Sequence, residues 1–541
     1  MRFPHTLPTL LFACTSLASA RISPYSSSSP SNSNFALQRR QAPNATWPHQ
    51  SFYTEPDFLP PILEITRHGP SSPNPLFFAV NCAACPQEAA TIFSPDGELI
   101  WQSDPYTQYP ATNFGPQRLN GKPVLVYNMA VDAPIVASGA LTYSVVLILD
   151  DSYNLLHNIS VSDPTFVFSE GSKTTSLIDA HEAYITPSNT LLVPGYNITP
   201  WDLSPVGGPK DGWLLDSVVY EVTIPDGEIL WSWKSTDHIG IKDAEVPLDA
   251  LYGWGNTSLN AWDYFHVNSI QVWGEGDEEG ILISARNTYD VLFINKKTGN
   301  IEWRLRGKGE GGDIPLTPEG HFSYQHDARL WNHNGDLLLS IFDNSNTLPP
   351  PWRPSEGHLY TLNPANKSAT LKTTYMDHNT TIAAQFGGAM HINFEDGYVI
   401  LGYGSQPITE EYNLNGTMLA SWRFGAPAPD FGIPGIANYR TYKSEWKGYP
   451  TSLPAVKACK SATGTDVYVS WNGATEVQAW TVFAGHDEAG LLESVSAPKT
   501  GFETKIRVDG GVGMVRVKAV GRADDERFVA QSSEAVVVQE C

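Results

Sequence analysis

The sequence predicts an all-β protein, in which a β-propeller is followed by a small C-terminal β-sandwich. Two repeats and a change of pattern near residue 454 support this prediction. No amphipathic segment of helical length interrupts the short apolar runs, which are separated by Gly, Asp and Asn as strands are separated by tight turns. The chain has 541 residues with 44 Gly, 41 Pro and 16 Trp, which is enough to bury a large core and form more than one domain.

The first repeat is a turn, an apolar strand and a closing tryptophan. It is typical of the outer hairpin of a propeller blade, and its closing residues are expected to pack between blades. The four copies end at Trp101, Trp231, Trp303 and Trp422.

The second repeat is a histidine at the start of a strand, a polar turn and a second apolar strand. Because the inner strands of successive blades converge on the central channel of a propeller, these histidines are expected to ring one axis. They are His181, His266, His326 and His391.

The N-terminal 20 residues have a basic start, an apolar run and a small-residue end, which predict a secretory signal peptide. Residues 21–50 are rich in Ser, Pro and Asn and are predicted to be a disordered leader. The propeller is assigned to residues 51–453 and the sandwich to residues 454–541. No other apolar run approaches the ~20 residues of a membrane span, so a secreted, extracellular protein is expected.

The N-glycosylation sequons and the even number of cysteines left after signal removal are consistent with a secreted protein. Disulfides are the default expectation for the four cysteines left after signal removal, with Cys82 paired to Cys85 and Cys459 to Cys541 because each pair lies in one inferred domain. A redox or zinc role for Cys82 and Cys85 is the alternative, although no second close pair completes a metal site. The expected glycosylation sites are Asn44, Asn158, Asn197, Asn256, Asn366, Asn379 and Asn415, with Pro200 weakening the case for Asn197.

The formal net charge of −23 disfavours nucleic acid and anionic membranes as partners. An anionic substrate would need a local cationic pocket. No phosphate-binding or dinucleotide fingerprint is present, so no cofactor is expected. Histidines that converge on one axis could also hold zinc or copper, but no carboxylate or cysteine is clearly placed to complete such a site, and no metal is predicted.

Three separated motifs resemble the arylsulfotransferase (ASST) family, in its secreted fungal branch. They are residues 265–270 (FHVNSI), 284–286 (SAR) and 325–329 (QHDAR). The resemblance covers about residues 51 to 480 and includes the strings 439–442 (YRTY) and 469–476 (VSWNGATE). It implies a six-bladed propeller that moves a sulfuryl group from a phenolic sulfate ester to a phenol, without a nucleotide sulfate donor.

The resemblance also assigns site residues. His326 is the expected nucleophile, which carries a transient sulfohistidine. His266, Arg286 and Asn268 are expected to hold the sulfuryl oxygens, His181 is a further channel histidine, and His391 is structural or lines the channel. The chemistry is consistent, because sulfuryl transfer spreads negative charge over several oxygens and needs fixed donors around an in-line nucleophile.

Each assignment has a structural alternative. A lone histidine is more often hydrogen-bonded to its neighbours than catalytic, Asn268 could satisfy the backbone of a blade, and Asp327 with Arg329 could form a structural ion pair. The alternative for the whole protein is a non-catalytic or repurposed propeller that binds a small ligand in its channel. After residue 454, short alternating strands predict an immunoglobulin-like or fibronectin-III-like sandwich with Trp471 or Trp480 in its core.

Overall fold

The computed structural model describes residues 47–82, 87–104, 111–131, 142–166, 174–308, 311–345, 353–426 and 436–541. The predicted signal peptide, Asn44 and Cys85 lie outside these ranges. Trp47 and Gln50, at the end of the predicted leader, donate hydrogen bonds to the Ile62 and Gly97 carbonyl oxygens at 2.8 and 2.9 Å, so hydrogen-bonded structure begins earlier than residue 51. Among the described residues, no helix is long and apolar enough to cross a membrane.

Strands dominate the described chain, and its helices are short 3₁₀ turns. Strands β1–β9 are Glu64–Arg67, Leu76–Cys82, Ala90–Phe93, Leu99–Gln102, Ala111–Leu119, Lys122–Ala130, Tyr143–Leu149, Leu155–Ile159 and Ile178–Asp179. Strands β10–β17 are Tyr184–Ile185, Leu191–Trp201, Gly212–Val222, Ile229–Lys234, Val267–Trp273, Gly280–Ala285, Asp290–Asn295 and Ile301–Arg306.

Strands β18–β27 are His326–His333, Asp336–Asp343, Glu356–Asn363, Ser368–Tyr375, Ala389–Asn393, Tyr398–Gly402, Ile408–Asn413, Met418–Arg423, Ile436–Asn438 and Tyr442–Lys443. Strands β28–β34 are Ala455–Ser461, Gly464–Ser470, Val477–Gly485, Leu492–Pro498, Glu503–Asp509, Met514–Gly521 and Val536–Val537. The 3₁₀ turns are Ser204–Val206, Ser235–Asp237, Ile241–Asp243, Ser258–Asn260, Gly276–Glu278 and Pro318–Gly320.

Up to Lys443, the strands form six antiparallel sheets that follow one another along the chain. The first sheet holds β2–β4, the second β5–β8, the third β10–β13, the fourth β14–β17, the fifth β18–β21 and the sixth β22–β25. Strand β1 pairs with β25 in the sixth sheet, and β26 and β27 pair with β2 in the first. Both ends of this region therefore add strands to a sheet formed by a distant part of the sequence.

Apolar cores lie between consecutive sheets. Leu192 and Leu214 of the third sheet pack with Ile270 and Ile283 of the fourth, and similar cores join each other neighbouring pair. A further core joins Trp422 of the sixth sheet to the first sheet. Each sheet thus buries both of its faces, which explains why its strands are near-continuous apolar runs.

Each tryptophan of the repeat lies on the last of the consecutive strands that form its sheet. Trp101, Trp303 and Trp422 are buried in β4, β17 and β25. Trp101 stacks on Phe114 of the next sheet, with 5.6 Å between ring centroids. In β13 it is Trp233 that is buried and stacks on His238 at 4.9 Å, whereas Trp231 is only partly buried. Both tryptophans of β13 pack against the same core, Trp233 within it and Trp231 at its edge.

After residue 454, two further sheets share one core. The seventh sheet holds β28, β29 and β32, and the eighth holds β30, β31, β33 and β34. Trp471 and Trp480 are both in the core between them. Cys459 and Cys541 form a disulfide with 5.5 Å between their Cα atoms. The other predicted pairing involves Cys85, which lies outside the described residues.

A buried ion network connects the first strands of several sheets. Arg329 binds Glu182 at 2.6 Å and Asp327 at 2.8 Å, and Arg440 binds Glu182 at 2.9 Å. The Arg440 side chain is fully buried. The structural reading of Asp327 and Arg329 agrees with these contacts. Buried charges of this kind are costly to leave unpaired, because the surviving partner keeps its desolvation penalty.

Replacing Glu182 by glutamine is therefore expected to destabilise the fold strongly. The change keeps the side-chain shape but leaves Arg329 and Arg440 with less compensation, and about 3–5 kcal/mol of unfolding free energy should be lost. Urea denaturation followed by tryptophan fluorescence measures this. The matched control is Asp277→Asn, whose exposed pair with Lys297 should contribute no more than about 1 kcal/mol. Equal urea midpoints for the two variants would show that the buried ion network does not stabilise the fold more than the exposed pair.

Candidate active site

Three of the predicted histidines come together where the first strands of the third, fourth and fifth sheets begin. His266 precedes β14, His326 opens β18, and His181 precedes β10. The Nε2 atoms of His181 and His266 are 3.2 Å apart. The Tyr439 ring lies 5.5 Å from the His181 ring and 6.1 Å from the His326 ring, between centroids. The histidine repeat therefore predicted a real cluster.

Three residues at this cluster have a strained backbone. His266, Tyr324 and Asp327 have φ values of 62°, 54° and 54°, a left-handed conformation that costs residues other than glycine about 1–3 kcal/mol. The ladder from β14 to β15 shifts register between Val267 and Ser269, and the ladder from β18 to β19 shifts between His326 and Arg329. These bulges turn the first residues of both strands away from regular pairing and aim their side chains at the site.

The contacts of His326 favour a neutral imidazole with a proton on Nδ1 and a lone pair on Nε2 that accepts a hydrogen bond. Asn344 Nδ2 donates to the Ala384 and Gly387 carbonyl oxygens at 2.9 and 3.0 Å, so its Oδ1 faces His326 as an acceptor. His326 Nδ1 donates to this oxygen at 2.7 Å. The Gly387 N–H donates to His326 Nε2 at 3.2 Å. Burial, reinforced by the positive charge of Arg286, holds the pKa of His326 well below its usual value of 6.5.

His181 and His266 form a pair of imidazoles that face each other through their Nε2 atoms. His266 Nδ1 donates to Asp263 Oδ2 at 2.5 Å, and His181 Nδ1 donates to Asp179 Oδ1. Both Nε2 atoms face each other, so a hydrogen bond between them needs one extra proton. The two carboxylates compensate the resulting imidazolium charge. Burial lowers the pKa of His266, and Asp263 partly opposes that shift.

Arg286 supplies the local positive charge that an anionic substrate would need in this negatively charged protein. Its guanidinium lies 4.7 Å from the Tyr324 ring centroid and 5.9 Å from that of Tyr252. Among the described residues it has no carboxylate partner, and its hydrogen bonds go to Asn287 Oδ1 at 2.9 Å and Gln385 O at 3.3 Å. Although burial acts to lower its pKa, the neighbouring tyrosine hydroxyls outweigh burial and raise it. The guanidinium is therefore a fixed cation for an anionic ligand.

Asn268 contacts the backbone of the next sheet. Its Nδ2 donates to the Gln325 carbonyl oxygen at 2.7 Å, while its buried Oδ1 has no hydrogen-bond partner among the described residues. The amide therefore fixes the residue that precedes His326. This contact is the one that the structural alternative for Asn268 describes, and it uses one of the two N–H groups of the amide.

His391 lies apart from the other three histidines. It is the third residue of β22, whereas His326 is the first residue of β18, so its side chain sits further along its strand. Its ring is 5.8 Å from the Tyr442 ring, and burial lowers its pKa to about 4. The expected ring of four is therefore a group of three, with His391 beside the Asp327 and Arg329 charges.

Several residues at the site escaped the sequence analysis. Asp179 and Asp263 stand two and three residues before their histidines, and this spacing was the available signal. Asn344, Gly387 and Tyr439 come from distant segments; no local pattern marks Asn344 or Gly387, and the string 439–442 includes Tyr439 without giving it a role. Their contacts form only when different sheets meet.

Most of the predicted glycosylation sites in the described region are on the surface. Asn197 lies in β11 and is buried, so an attached glycan would disrupt the third sheet. The exposed ones are Asn158, Asn256, Asn366, Asn379 and Asn415.

Comparisons with solved structures return proteins of low sequence identity. A protein of unknown function from Bacteroides caccae is 12% identical, with a TM-score of 0.37, covering 69% of this chain and 99% of that one. The Cps50 (Swd1) β-propeller domain of Myceliophteria thermophila is 10% identical, with a TM-score of 0.33, covering 70% and 98%. The periplasmic gluconolactonase PpgL of Pseudomonas aeruginosa is 12% identical, with a TM-score of 0.33, covering 80% and 99%.

No curated protein matches the sequence. A family model does, and it is described as arylsulfotransferase (ASST). It matches residues 115–425, a narrower span than the predicted 51 to 480, and the secreted fungal branch stays a prediction. The matched region is more than half of the chain and contains His181, His266, Arg286 and His326. The chain therefore belongs to the arylsulfotransferase family, which supports a sulfotransferase activity.

Proposed function

We propose that this protein is an aryl sulfotransferase that moves a sulfuryl group from a phenolic sulfate ester to a phenol, without a nucleotide sulfate donor. The observation that carries the proposal is the buried His326, whose pKa is lowered by burial and by Arg286, together with the Arg286 guanidinium, which forms no ion pair within 4 Å among the described residues. A neutral imidazole is a nucleophile, and the guanidinium can hold the charge that spreads over the sulfuryl oxygens.

In the proposed first half-reaction, His326 Nε2 attacks the sulfur of the donor ester. An N–S bond forms and the S–O bond to the aryl group breaks, leaving a sulfohistidine. The leaving phenolate, whose phenol has a pKa of about 10, takes the proton held between His181 and His266. Before Nε2 can attack, its hydrogen bond with the Gly387 N–H must break. The released N–H then faces a sulfuryl oxygen.

In the second half-reaction the acceptor phenol returns that proton. Its hydroxyl gives the proton to the histidine pair, and its oxygen attacks the sulfur as the N–S bond breaks. His326 is released in its neutral form with Asn344 still bound to Nδ1. Asp179 and Asp263 orient the pair and balance its charge throughout, as a buried carboxylate orients a catalytic histidine in other enzymes.

The direct test is incubation of the protein with 4-nitrophenyl sulfate, with and without a phenol acceptor and with no nucleotide. Acceptor-dependent release of 4-nitrophenol together with formation of the sulfated acceptor is the expected result. A folded protein that releases no nitrophenol from a range of aryl sulfates would argue for a ligand-binding role instead.

The pH dependence of this activity follows from the lowered pKa of His326. A nucleophile with a lowered pKa stays unprotonated to lower pH, so kcat/KM for an aryl sulfate should hold its plateau as the pH falls to 6.5. The loss at acid pH should have its midpoint below 6.5. A pH profile of kcat/KM measures this. A midpoint above 6.5 would show that His326 is a protonated group rather than the nucleophile.

The same proposal includes the fold around the site. We infer that the six sheets are the blades of a six-bladed propeller, because cores join consecutive sheets and one core joins the sixth sheet to the first. The two C-terminal sheets are then a small β-sandwich. An experimental structure with a different number of blades would refute this arrangement.

Secretion is a further part of the proposal. It is supported by the predicted signal peptide and by the Cys459–Cys541 disulfide, since disulfides persist mainly in oxidising compartments. N-terminal sequencing of protein from the culture medium tests it. Retention inside the cell with Met1 in place would contradict it.

A further inference from the structure

Tyr439 occupies a central position in the site, although the family-like string 439–442 gave it no role. It follows β26, and its carbonyl oxygen accepts a hydrogen bond from the Gly388 N–H at 2.9 Å. Its ring meets the rings of His181 and His326 nearly at right angles, with interplanar angles of 85° and 76°. The backbone contact fixes this residue next to the segment whose Gly387 N–H binds the nucleophile.

The Tyr439 hydroxyl is buried and has no hydrogen-bond partner among the described residues. This is not how the chain otherwise buries tyrosines. The hydroxyls of Tyr360, Tyr375 and Tyr398 donate to carbonyl oxygens at 2.8, 2.9 and 2.9 Å. A buried hydroxyl without a partner loses its hydrogen bonds to water and gains none within the protein. Because this unpartnered hydroxyl lies at the centre of a candidate active site, we infer that an atom of a ligand forms the missing hydrogen bond.

The hydroxyl is a donor rather than an anion. Burial, opposed by the Arg440 guanidinium 5.4 Å from the ring, raises the pKa of Tyr439 well above its usual value of 10. A neutral phenol in this position can donate one hydrogen bond. Such a hydroxyl can also accept a hydrogen bond, but donation suits the ligand of the proposed reaction, because its sulfuryl oxygens are acceptors.

We propose that Tyr439 is a catalytic residue whose hydroxyl donates a hydrogen bond to a nonbridging oxygen of the sulfuryl group as that group is taken up by His326. This inference rests on the proposed function. It gives the group donors from three parts of the chain, which are Arg286, the Gly387 N–H and Tyr439. Nonbridging oxygens gain charge in the transfer, so a donor to one of them stabilises the transition state.

The test is Tyr439→Phe, which keeps the ring and removes only the hydroxyl. We expect kcat/KM to fall about 10- to 100-fold, as for a hydrogen bond to a charged group. The loss should be similar for aryl sulfates with good and poor leaving groups, because the donor acts on a nonbridging oxygen. The melting temperature should not fall, since the hydroxyl has no partner to lose.

Tyr375→Phe is the matched control. Its hydroxyl donates to the Leu414 carbonyl oxygen, so this variant should lose stability and keep its activity. Unchanged kinetics in Tyr439→Phe, or a lower melting temperature with unchanged kinetics, would show that Tyr439 is only a packing residue and would overturn the proposal.

A binding measurement separates this proposal from the proposed reaction. In a His326→Ala background, calorimetry should show that 4-nitrophenyl sulfate binds more weakly when Tyr439→Phe is added, by a smaller factor than the loss of kcat/KM, because the oxygen gains charge only in the transfer. Equal affinity in the two variants, together with an unchanged kcat/KM in Tyr439→Phe, overturns the role of Tyr439 alone. No binding to either variant, with no turnover by the wild type, overturns both proposals.

Discussion

Replacing His326 by alanine is expected to reduce sulfuryl transfer by at least about 10³-fold, because the variant has no atom to form the covalent intermediate. The Asn344 amide and the Gly387 N–H, which now bind the imidazole, would remain in place. Both the release of 4-nitrophenol and the formation of sulfated acceptor should be lost together. Steady-state assays of both products measure this effect.

The matched control for that variant is His157→Ala. His157 lies on β8, the last strand of the second sheet, and takes no part in the histidine cluster. Its replacement should leave kcat unchanged. Full activity in His326→Ala would show that the nucleophile is another group, and His266 would then be the next candidate because its Nε2 also lies in the cluster.

Replacing Arg286 by methionine should lower kcat/KM about 10²- to 10³-fold, the usual effect of removing one fixed donor to a developing anion. A second effect follows from the same charge. Arg286 helps to depress the pKa of His326, so its removal should move the acid limb of the pH profile upward, toward 6.5. Kinetics across the pH range measure both effects in one experiment.

Arg67→Met is the control for this variant, since Arg67 forms a surface ion pair with Asp96 at 2.6 Å. It should change neither the rate nor the pH profile. A large loss of rate in Arg286→Met with an unmoved acid limb would mean that the guanidinium binds substrate without acting on His326. No loss of rate would remove Arg286 from the site.

The sequence was sufficient to predict that three of the repeat histidines come together. A histidine at the start of successive first strands was recognisable because each sheet repeats the same register, so His181, His266 and His326 could be expected to meet. The same reasoning misplaced His391, since a shift of two residues along β22 is invisible when only the repeat is counted. The repeat in the sequence predicts which strand a side chain belongs to, but it does not predict how far along that strand the side chain lies.

The donors around the nucleophile could not be predicted in this way. Tyr439 reaches the site because β26 pairs with β2, across most of the chain. Gly387 and Asn344 meet His326 through a loop and the end of β19. Such contacts depend on how sheets pack and not on local pattern, so a single sequence contains no direct signal for them.

In the proposed reaction the sulfuryl group is carried by His326. The most direct test is mass spectrometry of the enzyme after it has been mixed with 4-nitrophenyl sulfate in the absence of an acceptor. The peptide that contains His326 should gain the mass of one SO₃ group, and the gain should disappear when a phenol is added before denaturation. An active enzyme whose His326 peptide never carries this mass would contradict the account.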